Sequence, residues 1–158
     1  MKVSIGSDHA GFAQKKELVA YLQEQGYEVL DRGPENDERV DYPDYAQKVA
    51  MDVSFGRADR GVLICGTGIC MAIFANKIPR VRAANVTSCQ FAELARQHND
   101  ANVLALSGRF VELEDNKAIL DTFLNTAFED EGNPDGRHAR RLQKLWPIEG
   151  QTLRRGQL

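Results

Sequence analysis

Short apolar segments alternate with longer segments of helical periodicity along most of the chain, and this alternation limits the possible folds more than any other feature. The apolar segments, which we predict to be strands, are residues 3–6, 27–30, 60–65, 81–86 and 102–106. Repeated β-α-β units imply parallel strands with helices packed on both faces of the sheet. We therefore predict an α/β fold, a three-layer αβα sandwich with a Rossmann-like, five-stranded parallel sheet.

The helical segments are bounded by residues that typically start or stop helices. Gly26 ends the first of them, Pro43 lies near the start of the second, and Ser88 is a suitable N-cap for the fourth. The predicted helices are residues 12–25, 45–55, 69–76, 88–98, 113–128 and a short C-terminal helix over 137–145. A length of 158 residues fits one domain. We assign residues 1–146 to it and treat 147–158 as a C-terminal tail, frayed or lying on a partner subunit.

Composition excludes several classes of function. The net charge of −3 provides no basic field for nucleic acid. No apolar run is long enough to span a membrane, and no leader precedes the first predicted strand, so we expect a cytoplasmic protein. Three cysteines make a disulfide framework improbable. The spacing of Cys65 and Cys70 matches no common zinc pattern, and Cys89 is predicted to be a small buried residue.

The segment Cys65-Gly66-Thr67-Gly68-Ile69-Cys70 joins the third predicted strand to the third predicted helix. In open α/β sheets, ligands bind at such turns, beyond the carboxyl ends of the strands. Glycines allow a ligand to approach the backbone closely, and the start of a helix presents free amides to negative charge. A cysteine here is a candidate nucleophile or base, because a helix N-terminus favours the thiolate.

Two nucleotide-binding motifs are incomplete in this chain. Gly6 and Gly11 have the glycine spacing of a phosphate-binding loop, but Phe12-Ala13 stands where that loop requires Lys-Ser/Thr. The Gly-Thr-Gly of the cysteine turn lacks the third glycine of the dinucleotide motif, whose position holds Met71. Asp8 and His9, after the first strand, would point into the same crevice as Cys65; alternatively, Asp8 is only a helix N-cap.

Two further groups of polar residues suit a phosphorylated sugar. His98 and Asn99 end the fourth predicted helix and could bind hydroxyl groups, although a histidine there is often only a dipole partner. Arg137 and Arg141 share one helix face, where two guanidinium groups could hold a phosphate or could equally pair with nearby acids. Arg109, after the fifth strand, is a further candidate anion contact.

Residues 2–145 resemble the ribose-5-phosphate isomerase B family, which also includes galactose-6-phosphate and allose-6-phosphate isomerases. The resemblance rests on six segments in matching order and spacing. They are Gly6-Ser7-Asp8-His9-Ala10-Gly11, Asp41-Tyr42-Pro43-Asp44-Tyr45, Cys65-Gly66-Thr67-Gly68-Ile69, Ala75-Asn76-Lys77, Arg96-Gln97-His98-Asn99-Asp100-Ala101-Asn102-Val103-Leu104, and Gly136-Arg137-His138 followed by Arg141.

The resemblance implies interconversion of ribose 5-phosphate and ribulose 5-phosphate through a cis-enediolate, with no metal and no organic cofactor. It implies that Cys65 is the base, that Thr67 passes a proton between the substrate oxygens, and that His98 opens the sugar ring. Asn99 would hold the enediolate, and Asp8 a sugar hydroxyl. The implied anion hole is the backbone of Gly66, Gly68 and Cys70, and the implied phosphate contacts are His9, Arg109, Arg137 and Arg141. The implied assembly is a homodimer or a dimer of dimers, with His98 of one subunit facing Cys65 of the other.

The chain departs from the family pattern near the proposed base. Cys70 and Ala72 stand where family members usually have glycine and serine. This difference keeps open other substrates, namely allose 6-phosphate, galactose 6-phosphate or a tetrose 4-phosphate, and a redox pairing of Cys65 with Cys70. A non-catalytic module that binds sugar phosphates or nucleotides is a further alternative. The presence of Cys65, Thr67 and His98 favours an enzyme, because a binding module needs no positioned base.

Overall fold

The computed structural model describes residues 1–152, with side chains to residue 149. Its parallel, five-stranded sheet has the order β2-β1-β3-β5-β4. The strands are β1 (Lys2–Ser7), β2 (Glu28–Asp31), β3 (Arg60–Cys65), β4 (Ala83–Asn85) and β5 (Val103–Ser107). The helices are α1 (Phe12–Glu24), α2 (Tyr42–Ser54), α3 (Ile69–Ala75), α4 (Cys89–Asn99), α5 (Leu113–Asn125), α6 (Arg137–Gln143) and α7 (Trp146–Thr152). The predicted three-layer α/β sandwich is confirmed.

Two apolar cores lie on opposite faces of the sheet, because successive side chains of a strand point to opposite sides. One core joins Val62 and Ile64 of β3 to α1, α4 and α5. The other joins Leu63 and Cys65 to α2 and α3. This alternation turns the Cys65 side chain toward the α2–α3 face, next to the start of α3.

Several predicted boundaries shift for local reasons. The edge strand β4 spans three residues, since it pairs with β5 alone and the chain turns before it, where Val81 N donates to Ile78 O at 3.2 Å. Helix α2 begins at Tyr42, because Pro43 fits the first turn. Helix α5 ends at Asn125, where Thr126 becomes extended and its carbonyl accepts a bond from Arg96 Nε.

The start of α4 tests two further expectations. Ser88 is confirmed as its N-cap, since Ser88 Oγ accepts a bond from Phe91 N at 3.4 Å. The burial predicted for Cys89 is wrong: it is the first residue of α4, and its side chain is exposed.

The C-terminal segment continues as α7, which begins at Trp146. Ile148 lines an apolar groove together with Leu142 and Leu145 of the preceding segment. The domain boundary predicted after residue 146 remains a prediction, and residues 153–158 of the predicted tail lie outside the described residues. Among the described helices, none combines the length and apolar character needed to cross a membrane.

Candidate active site

The carboxyl ends of β1, β3 and β5 lie side by side, so the turns that follow them form one crevice. The register pairs Ser7 with Ile64 and Cys65 with Ser107. The turns are also bonded to one another: Asp8 N donates to Ile64 O at 3.1 Å, and Gly108 N donates to Cys65 O at 2.8 Å. At Gly11 a Cβ would lie 2.6 Å from Ile64 O, so this close approach requires glycine.

Cys65 ends β3 with its sulfur buried in this crevice; only 1% of the residue is exposed. Its Sγ accepts a hydrogen bond from Gly68 N at 3.0 Å. That bond depends on the left-handed backbone of Gly68, whose φ is 82°. The amide of Asn85 holds the same turn by donating to Thr67 O and Ala105 O, both at 3.1 Å.

Cys70 provides the second hydrogen bond to this sulfur. Its thiol donates to Cys65 Sγ, with the two sulfur atoms 3.0 Å apart. Burial, this hydrogen bond, and the nearby charges of Cys65 and Asp8 raise the pKa of Cys70 to about 12. Cys70 therefore keeps its proton, and Cys65 is the acceptor of the pair.

Asp8 lies beside the two sulfurs, as predicted, and the alternative in which it is only a helix N-cap is wrong. The N-cap of α1 is Gly11, while Asp8 Oδ1 accepts bonds from Ala10 N at 2.9 Å and Gly11 N at 3.0 Å, closing the turn before the helix. A carboxylate oxygen of Asp8 and the sulfurs of Cys65 and Cys70 all lie within 4.8 Å of one another. With Thr67, these residues form what we call the base cluster.

Thr67 belongs to this cluster, and the predicted site residues Arg109 and His9 border it. Thr67 is exposed, and its Oγ1 accepts a bond from Ile69 N at 3.3 Å. Arg109 is exposed and lies over Gly66, where a Cβ would be 3.5 Å from Arg109 Cδ. His9 Nδ1 accepts a bond from Val40 N at 3.5 Å, which connects the crevice to the loop before α2.

A second group, which we call the histidine cluster, consists of His98, Glu129, Arg137 and His138. The His98 and His138 rings stack with centroids 4.4 Å apart. Glu129 Oε2 lies 3.7 Å from His98 Nε2 and 3.1 Å from His138 Nε2. Arg137 Nε donates to His138 Nε2 at 2.9 Å. The predicted residues His98 and Arg137 are thus brought together.

Asp130 positions the helix that carries Arg137 and Arg141. Its Oδ2 accepts bonds from His138 N at 2.7 Å and Ala139 N at 3.0 Å. The bond from Ala139, together with that from His138, lowers the pKa of the Asp130 carboxyl. Arg141 is exposed at the next turn of the same helix.

A rigid link holds the end of α4, where His98 and Asn99 lie. Asp100 adopts a left-handed conformation with φ 43°. Its carboxylate accepts bonds from Arg82 Nη2 at 2.6 Å and from the buried Arg96 Nη1 at 2.8 Å. Asn99 itself is exposed and lines the apolar groove, which has a volume of about 570 Å³.

The two clusters are not bonded to each other within one chain. Across residues 1–152, no hydrogen bond or ion pair joins the base cluster to the histidine cluster. The structure therefore groups Asp8, Cys65 and Cys70 in one set of contacts and His98 and Arg137 in another.

Sequence reasoning missed three residues that shape these clusters. Asn85 gave no signal, since its contacts are distant in sequence, whereas Glu129 was among the nearby acids expected to be able to pair with Arg137, and its Oε2 lies 3.8 Å from Arg137 Nη2. Ser107 could have been found as the last residue of β5; its Oγ donates to Gly66 O at 2.9 Å. His138 lies beside Arg137 within a quoted motif, and its burial distinguishes it.

Comparison with known proteins agrees with this fold. The family model for Ribose/Galactose Isomerase matches residues 3–145. Ribose-5-phosphate isomerase B of Escherichia coli is 46% identical over 148 residues, covering 94% of this chain and 96% of that protein.

Two solved structures have the same fold. One is ribose-5-phosphate isomerase B of Clostridium thermocellum, with a TM-score of 0.90 at 47% identity, covering 96% of this chain and 99% of the other. The other is that of Mycoplasma genitalium with bound ribulose 5-phosphate, with a TM-score of 0.87 at 44% identity, covering 94% and 96%. With its fold and nearly its whole length matched, the chain belongs to the ribose/galactose isomerase family.

Proposed function

We propose that the protein interconverts ribose 5-phosphate and ribulose 5-phosphate, with Cys65 as the proton-transfer base. The observation that carries this proposal is the buried Cys65 sulfur, which accepts hydrogen bonds from Gly68 N and the Cys70 thiol at a strand-to-helix turn. Donors at this position stabilise a thiolate. The names of the Escherichia coli and Clostridium thermocellum relatives support the same substrate.

In the proposed reaction, the Cys65 thiolate removes the C2 proton of the open-chain aldose. The resulting cis-enediolate carries negative charge on its oxygens, and backbone amides from Gly66 to Cys70 stabilise it at the start of α3. Thr67 moves a proton between the two oxygens. The Cys65 thiol then returns a proton to C1, which yields the ketose and regenerates the thiolate.

Other residues of the site supply the remaining steps in this proposal. His98 opens the furanose ring, with the Glu129 carboxylate 3.7 Å from its Nε2, and Asn99 holds the enediolate oxygens. Asp8 orients a sugar hydroxyl. The phosphate is bound by His9, Arg109, Arg137 and Arg141, of which the last two lie on one face of α6.

The lack of any bond between the two clusters within one chain supports an active site shared between subunits. Ile69 and Ile73 are also more than half exposed and lie one turn apart on α3, on either side of Cys70 in the sequence. Exposed apolar side chains grouped in this way are typical of interfaces. We propose a homodimer, or a dimer of dimers, in which His98 of one subunit completes the site at Cys65 of the other. The cytoplasmic location remains a prediction.

Substituting the proposed base tests the chemistry directly. Ribulose 5-phosphate formation is measured for the wild type, Cys65→Ala and the matched control Cys89→Ala, which removes an exposed thiol outside the crevice. We expect Cys65→Ala to lose at least about a hundredfold in kcat, as for loss of a general base, and Cys89→Ala to match the wild type. Full activity of Cys65→Ala would contradict the proposed base.

The side chain of Cys70 beside the base favours testing other sugars. We expect the highest kcat/KM for ribose 5-phosphate in a panel with allose 6-phosphate, galactose 6-phosphate and a tetrose 4-phosphate. A higher value for one of these would replace ribose 5-phosphate as the substrate. Binding of sugar phosphates without turnover would support the non-catalytic alternative.

Subunit mixing tests the shared site. Cys65→Ala and His98→Ala chains are each inactive in this proposal, but a hybrid dimer contains one intact site. Unfolding and refolding the two together should restore about a quarter of wild-type activity, because random pairing makes about half of the dimers hybrid. No recovery, in a sample shown by ultracentrifugation to contain dimers, would place both residues in the same subunit's site.

A further inference from the structure

We propose that Asp8, Cys65 and Cys70 form a binding site for a thiophilic divalent cation, with Zn²⁺ as the reference ion, and that the bound ion inhibits the enzyme. The metal site depends only on the geometry of these three side chains. Its inhibitory effect rests on the proposed function, because the ion would bind the sulfur assigned as the base.

The positions of the three ligand atoms carry this inference. The two sulfurs and an Asp8 oxygen lie within 4.8 Å of one another, and the sulfurs are 3.0 Å apart. Typical Zn–S and Zn–O bonds of about 2.3 and 2.1 Å require ligand atoms about 3.5 to 3.8 Å apart around a tetrahedral ion. The sulfurs therefore need to separate by about 0.8 Å and the Asp8 oxygen to approach them by up to about 1.2 Å, which are movements of the size of small side-chain rotations.

The surroundings hold these ligands in place. Cys65 and Asp8 are buried, and both are fixed by backbone amides: Gly68 N donates to Cys65 Sγ, while Ala10 N and Gly11 N donate to Asp8 Oδ1. Such bonds orient ligands and favour their anionic forms. Two thiolates and one carboxylate make a soft donor set that prefers Zn²⁺ to Mg²⁺ or Ca²⁺.

Binding replaces one interaction with another at the same place. The thiol proton of Cys70, which bridges to Cys65 Sγ, leaves to solvent, and the cation takes its position between the two sulfurs. Three protein ligands leave the fourth position of the ion for water. Cys65 can then no longer accept a proton from carbon, which makes the ion an inhibitor.

The other group of possible ligands is a weaker candidate. His98, Glu129 and His138 also lie within 4.8 Å of one another. However, Arg137 Nε already donates to His138 Nε2 at 2.9 Å, so a guanidinium cation occupies the position that a metal ion would need. This cluster also belongs to the site described above.

The experiment uses the full chain, freed of metal and kept reduced with a phosphine. Zn²⁺ affinity is measured in competition with a chromophoric chelator, and Co²⁺ serves as a spectroscopic probe of thiolate ligation. The variants are Cys70→Ser and Cys70→Ala in the site, and Cys89→Ser and Glu129→Gln as matched controls. Thermal unfolding of the metal-free variants shows which of them are folded.

We expect one equivalent of Zn²⁺ per wild-type chain and a sulfur-to-cobalt charge-transfer band with Co²⁺. Both Cys70 variants should bind Zn²⁺ at least about a hundredfold more weakly. Removing a residue that only hydrogen-bonds a metal ligand already lowers affinity by up to about a hundredfold, and removing a ligand itself should lower it at least as much. Both controls should bind as the wild type does. Inhibition is measured as the Zn²⁺ concentration that halves the isomerase rate of each variant, relative to the rate of the same variant without metal. Between variants, this concentration should change by the same factor as the dissociation constant for Zn²⁺.

Unchanged affinity in the Cys70 variants, loss of binding in Glu129→Gln, or a Co²⁺ spectrum without thiolate character would each overturn the proposal. The two proposals fail separately. Stoichiometric binding by a protein without isomerase activity would leave the metal site standing and refute the proposed function. An active enzyme that binds no Zn²⁺ would refute the metal site and leave the proposed function standing.

Discussion

Substituting Gly68 by alanine should destabilise the protein and disable its catalytic turn together. Gly68 has a φ of 82°, and a Cβ there would overlap Asn85 Nδ2 and lie 3.0 Å from Leu106 O. The same residue donates the amide hydrogen bond to Cys65 Sγ. One added methyl group therefore affects the backbone conformation, the Asn85 amide and the position of the base.

The size of the effect follows from these contacts. A left-handed conformation costs a non-glycine residue about 1–2 kcal/mol. Displacing Asn85 removes its bonds to Thr67 O and Ala105 O, each contributing about 0.5–1.5 kcal/mol. The expected loss in the free energy of unfolding is therefore about 2–5 kcal/mol. A displacement of the turn by about 1 Å should also lower kcat by about a hundredfold.

Gly26→Ala is the matched control. Gly26 has nearly the same φ, 83°, but a methyl group added there would have no atom of the described residues within 4 Å. It precedes β2 and so lies toward the amino ends of the parallel strands, whereas Gly68 lies beyond their carboxyl ends. Gly26→Ala should lose only the conformational part, about 1–2 kcal/mol, and keep full activity. Chemical denaturation measures the stability of both variants, and an aldose–ketose assay with ribose 5-phosphate measures their rates.

Two results would refute this reasoning. Equal losses of stability in Gly68→Ala and Gly26→Ala would show that the overlap with Asn85 costs nothing. An undiminished kcat in a folded Gly68→Ala would show that the turn does not position the base. The double variant Gly68→Ala/Asn85→Ala should lose at least about 1 kcal/mol less than the sum of the single variants, because it removes the overlapping group.

Three further predictions concern ionisable groups. Hydrogen bonds from Arg32, Ser4 and Arg57 outweigh burial and lower the pKa of Asp52, so the contribution of Asp52 to stability is present above its unfolded pKa and is lost as the pH falls through its folded pKa. Asp52→Asn should lower the free energy of unfolding by about 2 kcal/mol at pH 7, less than for a fully buried pair because both arginines are partly exposed. Chemical denaturation measures this difference between wild type and variant, and a difference that stays unchanged at low pH would contradict the prediction. The hydrogen bond to Asp121 raises the pKa of Tyr21 to about 12, so the contribution of this bond to stability is complete below pH 10 and is lost as the pH rises to about 12. The difference in the free energy of unfolding between the wild type and Tyr21→Phe should shrink over that interval, and a constant difference would refute the link between the bond and the Tyr21 proton. Asp130→Ala removes the carboxylate that holds the start of α6, so KM for the sugar phosphate should rise more than kcat falls, whereas an effect on kcat alone would contradict a role in positioning Arg137.

The sequence predicted the architecture well because strand and helix periodicities are local properties. The strand ending at Cys65 has its predicted bounds, since four consecutive apolar residues and a following Gly-Thr-Gly leave little freedom. The edge strand β4 was predicted too long. The predicted segment 81–86 begins and ends with the apolar residues Val81 and Val86, but only Ala83–Asn85 pair with β5.

The site was predictable in its parts but not in its arrangement. The strand ends indicated that Asp8 and Cys65 would meet, since parallel strands end at the same edge. The spacing of Cys65 and Cys70 could not show that their sulfurs lie 3.0 Å apart, because that distance depends on the left-handed Gly68 between them. The stacking of His98 on His138 joins residues 40 positions apart through loops with no repeating pattern.

The link at Asp100 has a consequence for the thermodynamics of ligand binding. With its carboxylate bonded to both Arg82 and Arg96, Asp100 holds the end of α4 in one conformation before any ligand arrives. Ordering a free loop would consume part of the binding free energy as lost conformational entropy. Here the entropy of the backbone at the end of α4 is already lost when the chain folds, so in the proposed site the contacts of His98 and Asn99 with a ligand would not be weakened by the cost of ordering that backbone.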